Sequence, residues 1–223
     1  MDVKLFLDAV LKFISGVLIA GILVFLPAGS LAFQQGWLFM TVVFLPIFFV
    51  GLVIMIKSPE LMRKRLESKE KQSQQNVIVK ISAVMFVTGF IIAGLNFRFG
   101  WLVLPEAISV VGVVFYLVSY VIYAEVLREN AYLSRVIEVQ EGQKVVDTGL
   151  YSVVRHPMYS ATVILFLSMP VMLGSLYSFV IFLVYPFIIA KRIKEEEKLL
   201  ENELEGYREY KEKVKYKLIP FIW

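Results

Sequence analysis

The only histidine of this 223-residue chain lies in a stretch that could bind charged groups. The stretch reads Gly149-Leu-Tyr151-Ser-Val-Val-Arg155-His156-Pro157-Met-Tyr159. Arginine offers a planar fork of donors for a carboxylate or a phosphate, and histidine can donate or accept a proton near neutral pH. Charged residues beside a long uncharged segment are costly to place, so the pattern indicates a functional site at a membrane surface.

A second polar group follows that uncharged segment and contains Arg192 and the run Glu195-Glu196-Glu197. Arg192 and Glu196 are four residues apart and therefore share one face of a helix. Glu196 or Glu197 could bind an amine, a ribose or a cationic group. Taken alone, each group has a plainer interpretation, because basic residues flank membrane helices and glutamates in charged helices usually face solvent.

The composition favours a membrane protein, since 58% of the residues are hydrophobic and the mean hydropathy is +0.72. The chain contains no cysteine, which excludes disulfides, thiolate metal sites and a cysteine nucleophile. With a single histidine, a zinc or iron site is disfavoured. The sequence also lacks the glycine patterns of Rossmann and P-loop proteins, which disfavours a soluble nucleotide-binding fold.

Four segments are apolar enough to cross about 30 Å of hydrocarbon as helices. They are 10–27, 37–56, 77–97 and 105–124. The loop between the second and third of them is rich in lysine and arginine, so we expect it to be cytoplasmic. The N-terminus, residues 125–157 and residues 191–223 should then lie on the same cytoplasmic side.

The uncharged run 158–190 has 33 residues. As one helix it would be about 50 Å long, too long for a single comfortable span and too short for two full ones. Pro170 and the pair Gly174-Ser175 offer a break near its middle. We therefore predict a hairpin of two short or tilted helices, which would bring His156 and Glu196 to adjacent ends.

The predicted fold is an all-α integral membrane protein with four spanning helices, a C-terminal membrane helical hairpin and cytoplasmic active-site segments. We expect one membrane domain over 1–223, with the spanning helices in 1–124 and the hairpin and tail in 125–223. Within 136–149, short alternation and two glycines predict a β-turn or a short hairpin over a pocket. Gly206 should end the helix of the tail, and a short second helix should follow with Tyr207 and Tyr210.

The pairing of Arg-His-Pro-x-Tyr with a downstream Arg-Ile-x-x-Glu-Glu and Tyr-x-x-Tyr resembles the isoprenylcysteine carboxyl methyltransferase family. The wider group includes phospholipid N-methyltransferases of similar membrane design. The motifs cover roughly residues 130–223, and the layout of the spans extends the resemblance loosely to the whole chain.

The resemblance implies an S-adenosylmethionine site on the cytoplasmic side, built from the hairpin ends and the C-terminal segment. Arg155 and Arg192 would be the catalytic candidates, because either could hold a carboxylate of the cofactor or of the substrate. The cofactor-binding candidates implied by the resemblance are Gly149, Tyr151, His156, Pro157, Tyr159, Glu196 and Glu197.

The function that follows is a membrane methyltransferase dependent on S-adenosylmethionine, with a lipidic or lipid-anchored acceptor that is preferably a carboxylate. A phospholipid amine is the alternative acceptor, and it would need a base such as His156 or a glutamate. Two other hypotheses are a nicotinamide-dependent membrane reductase and a non-enzymatic transporter or structural protein. The expected partners are the lipid bilayer and a lipophilic or lipidated acceptor, with no nucleic acid and no metal.

Overall fold

The computed structural model describes residues 3–67, 73–133 and 138–223, and this part of the chain is helical. Within the described residues, extended pairing is limited to one isolated bridge between Val103 and Ser175. The predicted all-α class is therefore confirmed. The helices are α1 Val3–Ala28, α2 Gln34–Lys57, α3 Pro59–Glu67, α4 Ser73–Phe99, α5 Glu106–Glu129, a 3-10 turn at Gly149–Ser152, α6 Pro157–Met172, α7 Leu176–Phe182, α8 Val184–Glu203 and α9 Tyr207–Lys213.

In the described part of the chain, five helical segments are long and apolar enough to cross a membrane by length and composition. The four predicted spans match the first four of these segments, and only the predicted start at residue 105 lies outside its helix. Large apolar side chains on these helices remain exposed, among them Leu18, Phe49 and Val121, as expected of surfaces that contact lipid. The five segments are Val3–Ala28, Gln34–Lys57, Val77–Phe99, Glu106–Glu129 and Leu176–Glu203.

The chain divides into two compact units. The first contains the described residues up to 67 together with Ala83–Val113 and Met169–Phe182. Glycine allows close helix packing in this unit, since a Cβ at Gly94 would lie 2.5 Å from the carbonyl oxygen of Val24. Small residues at helix contacts are typical of proteins whose helices associate inside a bilayer.

The second unit contains the described residues between 73 and 82, together with Val114–Ser168 and Leu183–Trp223. In this unit the two arms of the predicted hairpin lie side by side. The ring centroids of Phe166 in α6 and Tyr185 in α8 are 4.6 Å apart, with the rings edge to face. Near the start of α6, the Tyr159 hydroxyl accepts a hydrogen bond from Arg192 Nε of α8 at 2.8 Å. The chain therefore returns after α6, as the sequence predicts.

The break between the arms lies at the predicted Gly174-Ser175 pair. α6 ends at Met172, and Gly174 has a φ of 67°, a left-handed conformation that glycine adopts without steric cost. Pro170, the other predicted break, lies inside α6. With 16 residues, α6 is about 24 Å long and shorter than a full span.

Two connecting segments were predicted to be non-helical or solvated loops. Residues 136 and 137 of the first, 136–149, and residues 68–72 of the second lie outside the described chain. In the first, a β-turn is present, because Gln143 donates its backbone N–H to Gln140 O at 3.0 Å and Gly142 has a φ of 70°. The second is helical on both sides of its gap, with α3 ending at Glu67 and α4 beginning at Ser73.

The hairpin predicts that Ser152 and Glu203, both exposed, face the same aqueous compartment. Because the chain has no cysteine, Ser152→Cys and Glu203→Cys can be labelled separately with an impermeant maleimide in sealed, oriented vesicles. Both should react from the same side. Leu31→Cys, in a loop predicted to lie on the other side, should react only after the vesicles are opened or inverted. Labelling of the two test positions from opposite sides would contradict the hairpin.

Candidate active site

The Arg155-His156-Pro157 stretch lies between the 3-10 turn and α6, and the C-terminal tail holds its backbone. Arg155 donates its N–H to Tyr216 O, and His156 donates its N–H to Lys217 O, both at 2.9 Å. Pro157 begins α6 as predicted, a position where a missing N–H costs nothing. The stretch and the tail are thereby joined, and α8 meets both of them through Glu197.

Glu197 is the centre of this junction and is 3% exposed. Its Oε1 accepts a hydrogen bond from Arg155 Nε at 2.7 Å and lies 3.3 Å from His156 Nε2. Its Oε2 pairs with Lys217 Nζ at 3.0 Å. A buried carboxylate is tolerated only when paired and hydrogen-bonded, and here both oxygens are used within the protein.

The Arg155 guanidinium is also buried and has a second fixed partner. Its Nη1 donates to the backbone carbonyl of Val214 at 2.6 Å. Among the described residues, the remaining terminal nitrogen, Nη2, has no hydrogen-bond partner. Two of the three guanidinium nitrogens therefore fix the position of Arg155, and the third is left for another group.

A second set of contacts is centred on the Tyr159 hydroxyl. Tyr159 donates to Glu196 Oε2 at 2.5 Å and accepts from Arg192 Nε at 2.8 Å. The other Glu196 oxygen lies 3.9 Å from His156 Nδ1, and the His156 and Tyr159 rings stack with centroids 5.7 Å apart. One tyrosine thus joins the acidic and basic residues that are four positions apart on α8.

Tyr151 joins the end of α5 to the tail. Its hydroxyl accepts from Asn130 Nδ2 at 2.9 Å, and its carbonyl accepts from the Tyr210 hydroxyl at 2.7 Å. Burial raises the pKa of Tyr151 to about 12, partly offset by the hydrogen bond from Asn130. Burial likewise raises the pKa of Tyr210, so both phenols remain neutral.

Gly149 packs against a carboxylate and leaves no room for a side chain. It has a φ of 51°, and a Cβ there would lie 1.4 Å from Glu129 Oε1. The same carboxylate accepts the backbone N–H of Leu150 at 3.0 Å through Oε2. Gly149 therefore acts through the shape of the turn, which presents Tyr151, and its backbone is locked to the end of α5.

A cavity in the second unit collects most of the predicted residues. Tyr151, Arg155, His156, Tyr159, Arg192 and Glu196 line it. Gly149, Pro157 and Glu197 lie outside its lining as the structure describes it. Lining residues that the sequence did not single out for this site include Asn130, Lys144, Val145, Leu204, Tyr207 and Tyr210.

The cavity-lining residues that the sequence did not predict come mainly from the tail and from the 138–146 segment. Tyr207 and Tyr210 belong to the quoted Tyr-x-x-Tyr motif, which was a usable signal. Lys217 and the Val214 carbonyl gave none, because one lysine among several in the tail and a backbone oxygen carry no distinguishing pattern. The Tyr207 hydroxyl is buried and has no hydrogen-bond partner among the described residues. Within those residues no group of three metal-ligating side chains is found.

Both halves of the motif therefore lie at one cavity. Residues 107–202 match the isoprenylcysteine carboxyl methyltransferase (ICMT) family. The resemblance drawn from the motifs is confirmed for this segment, which contains every predicted site residue. The ICMT match ends before Tyr207 and therefore leaves the tail's contribution outside it.

A solved structure supports the same fold. The chain is similar to a structure described as the eukaryotic intramembrane Ras methyltransferase ICMT, with a TM-score of 0.57 and 20% sequence identity. The similarity covers 85% of this chain and 67% of that one. At this identity the likeness concerns the fold. Comparison with curated proteins finds no match.

Replacing Glu197 should weaken the fold more than replacing its neighbour Glu195, which is exposed. Glu197→Gln leaves the Arg155 charge buried without its counter-ion and should lower the free energy of unfolding by about 3 kcal/mol. Glu195→Gln should change it by less than about 0.5 kcal/mol. Unfolding of detergent-solubilised protein in a denaturant titration measures both. Equal stabilities would contradict the central position given to Glu197.

Gly149 and Gly142 form a matched pair, since both have positive φ but only Gly149 has a neighbour where a Cβ would lie. Gly142→Ala should cost about 1 kcal/mol of stability from backbone strain alone. Gly149→Ala should cost more, because Glu129 must also be displaced from the Leu150 N–H. The same denaturant titration separates the two. A smaller loss at Gly149 would show that the turn tolerates rearrangement.

Proposed function

We propose that this protein is a membrane methyltransferase that uses S-adenosylmethionine to methylate the carboxyl group of an isoprenylcysteine. The observation that carries the proposal is the meeting of the two halves of the ICMT motif in one cavity. Arg155, His156 and Tyr159 come from the first half, and Arg192 and Glu196 come from the second. The matched segment and the fold point to the same class of reaction.

The lining of the cavity fits this cofactor chemically. S-adenosylmethionine supplies a methyl group on a positively charged sulfur, and it also carries an ammonium, a carboxylate, a ribose and an adenine. Glu196 would hold the ammonium or the ribose hydroxyls, and Arg155 would hold a carboxylate through Nη2, which has no hydrogen-bond partner among the described residues. Apolar side chains such as Val145, Leu200 and Leu204 line the same cavity and would contact the adenine. The buried Tyr207 hydroxyl, which no described residue satisfies, is a further sign of a bound polar ligand.

The predicted site residues form two groups: those that would contact a ligand, and those that hold the ligand-contacting residues in position. Arg155, Arg192, Tyr151, His156, Tyr159 and Glu196 line the cavity, and we assign them to the ligands. Glu197 lies behind Arg155 and His156 and acts as a positioning residue, because its two oxygens are bonded to protein partners. Gly149 and Pro157 shape the turn and the start of α6.

A carboxylate acceptor does not need a general base to activate it. A carboxylate is already nucleophilic, so the protein has to align it with the methyl group and exclude water. Arg192 has a planar guanidinium suited to that task, and its Nε is held by Tyr159 at 2.8 Å. His156, stacked on Tyr159 and beside Glu197, then serves to shape the cavity and need not remove a proton.

The site is assigned to the cytoplasmic side together with both termini. The support is the basic loop between the second and third spans, which the positive-inside rule places in the cytoplasm. The site is carried by the start of α6 and the charged end of α8. When the hairpin returns to its own side, the chain crosses the membrane an even number of times between that loop and each of these two elements, so both lie on the side of the loop. The acceptor would reach the site from the bilayer.

The function is tested with purified protein in detergent, labelled S-adenosylmethionine and N-acetyl-S-farnesylcysteine as acceptor. We expect label in a product that alkali hydrolyses to volatile methanol, because methyl esters are base-labile. Label that resists alkali and requires phosphatidylethanolamine would instead indicate N-methylation. Binding of NADPH without binding of S-adenosylmethionine would indicate a reductase. Binding of neither cofactor would contradict both the methyltransferase and the reductase hypotheses.

A variant pair ties the activity to the cavity. Arg192→Lys keeps the charge but loses the planar fork, and it should lower kcat/KM for the acceptor at least about ten-fold. Lys191→Gln, at the exposed neighbouring position, should leave kcat/KM unchanged. Equal activity of the two variants would place the chemistry elsewhere.

A further inference from the structure

Tyr207 has a hydroxyl that the fold does not use. It is the first residue of α9, it lines the cavity, and it is 4% exposed. Its hydroxyl is buried and has no hydrogen-bond partner within the described chain. Burying such a group without a partner costs free energy, and buried polar groups in folded proteins are nearly always satisfied. A partner from outside the chain would remove that cost.

Tyr210, one turn further along α9, shows the ordinary arrangement. It is also 4% exposed and also lines the cavity. Its hydroxyl donates to the carbonyl of Tyr151 at 2.7 Å. The two tyrosines therefore differ in one respect. The hydroxyl of Tyr210 has a hydrogen-bond partner in the described chain, and the hydroxyl of Tyr207 has none.

The surroundings of Tyr207 indicate which kind of group is missing. Burial, reinforced by the charge of Glu197, raises the pKa of its phenol, so the hydroxyl keeps its proton and can donate. Arg155 lines the same cavity as Tyr207. Arg155 Nη2 is a second donor without a partner in the described chain. Two donors in the lining of one cavity, one of them cationic, match the two oxygens of a carboxylate.

We propose that Tyr207 is a ligand-binding residue that donates a hydrogen bond to a carboxylate oxygen held beside Arg155. The assignment rests on the proposed methyltransferase function, in which both the methyl donor and the acceptor carry a carboxylate. Either molecule can supply the oxygen, and the experiment separates them.

The test compares Tyr207→Phe with Tyr210→Phe by calorimetric binding and by thermal unfolding. Tyr207→Phe removes no hydrogen bond of the fold, so its Tm should equal or exceed that of the wild type. Tyr210→Phe removes the bond to Tyr151 and should have a lower Tm. A lower Tm for Tyr207→Phe would show that its hydroxyl has a structural partner, which would overturn the proposal.

Binding then identifies the carboxylate. If it belongs to the methyl donor, Tyr207→Phe should bind S-adenosylhomocysteine roughly ten-fold more weakly and bind 5′-methylthioadenosine, which lacks the carboxylate, with unchanged affinity. If it belongs to the acceptor, affinity for S-adenosylhomocysteine should be unchanged and KM for N-acetyl-S-farnesylcysteine should rise by a similar factor.

Three outcomes of these measurements would overturn the proposal, and they are distinguishable. Unchanged affinity and unchanged KM in Tyr207→Phe, with normal binding by the wild type, would refute the role of Tyr207 alone and leave the methyltransferase function standing. Failure of the wild type to bind S-adenosylhomocysteine and to transfer methyl would refute both. Equal weakening for both adenosine ligands would mean that the hydroxyl contacts the nucleoside, which also contradicts the carboxylate assignment.

Discussion

The buried carboxylate of Glu197 is the interaction on which the site depends. It is held by Arg155, by the imidazole of His156 and by Lys217, so it joins the start of α6, the middle of α8 and the tail. A charge in this position is stable only if all of these partners are present together. The carboxylate therefore makes the positions of Arg155 and His156 depend on the return of the hairpin and on the path of the last ten or so residues.

The division of labour between adjacent glutamates follows from helix geometry. Successive residues on a helix point about 100° apart, so Glu196 and Glu197 have different hydrogen-bond partners, although His156 lies within 3.9 Å of the first and 3.3 Å of the second. Glu197 faces the buried Arg155, whereas Glu196 faces Tyr159 and the cavity. One carboxylate holds the site together and the other is left to contact a ligand, which accounts for two acidic residues in sequence with unequal burial.

Much of this arrangement could be predicted, because it depends on local pattern. The apolar runs predicted the spans, the length of 158–190 with Gly174 predicted the return, and His156-Pro157 predicted the start of a helix. The unequal roles of Glu196 and Glu197 could not be predicted, since the facing of α8 is set by packing. The contribution of Lys217 and of the Val214 carbonyl was also hidden, because it depends on where the tail runs. The unsatisfied hydroxyl of Tyr207 becomes visible only when its neighbours are known.

We infer that the cavity bounded by the two arms and the tail binds the methyl donor. A structure of the protein with S-adenosylhomocysteine, determined by cryo-electron microscopy or crystallography, would show whether it does. We predict ligand density in contact with Glu196 and Tyr159, with the Arg155–Glu197 pair intact behind it. Density at another site, or an intact cavity without ligand at saturating concentration, would contradict the account.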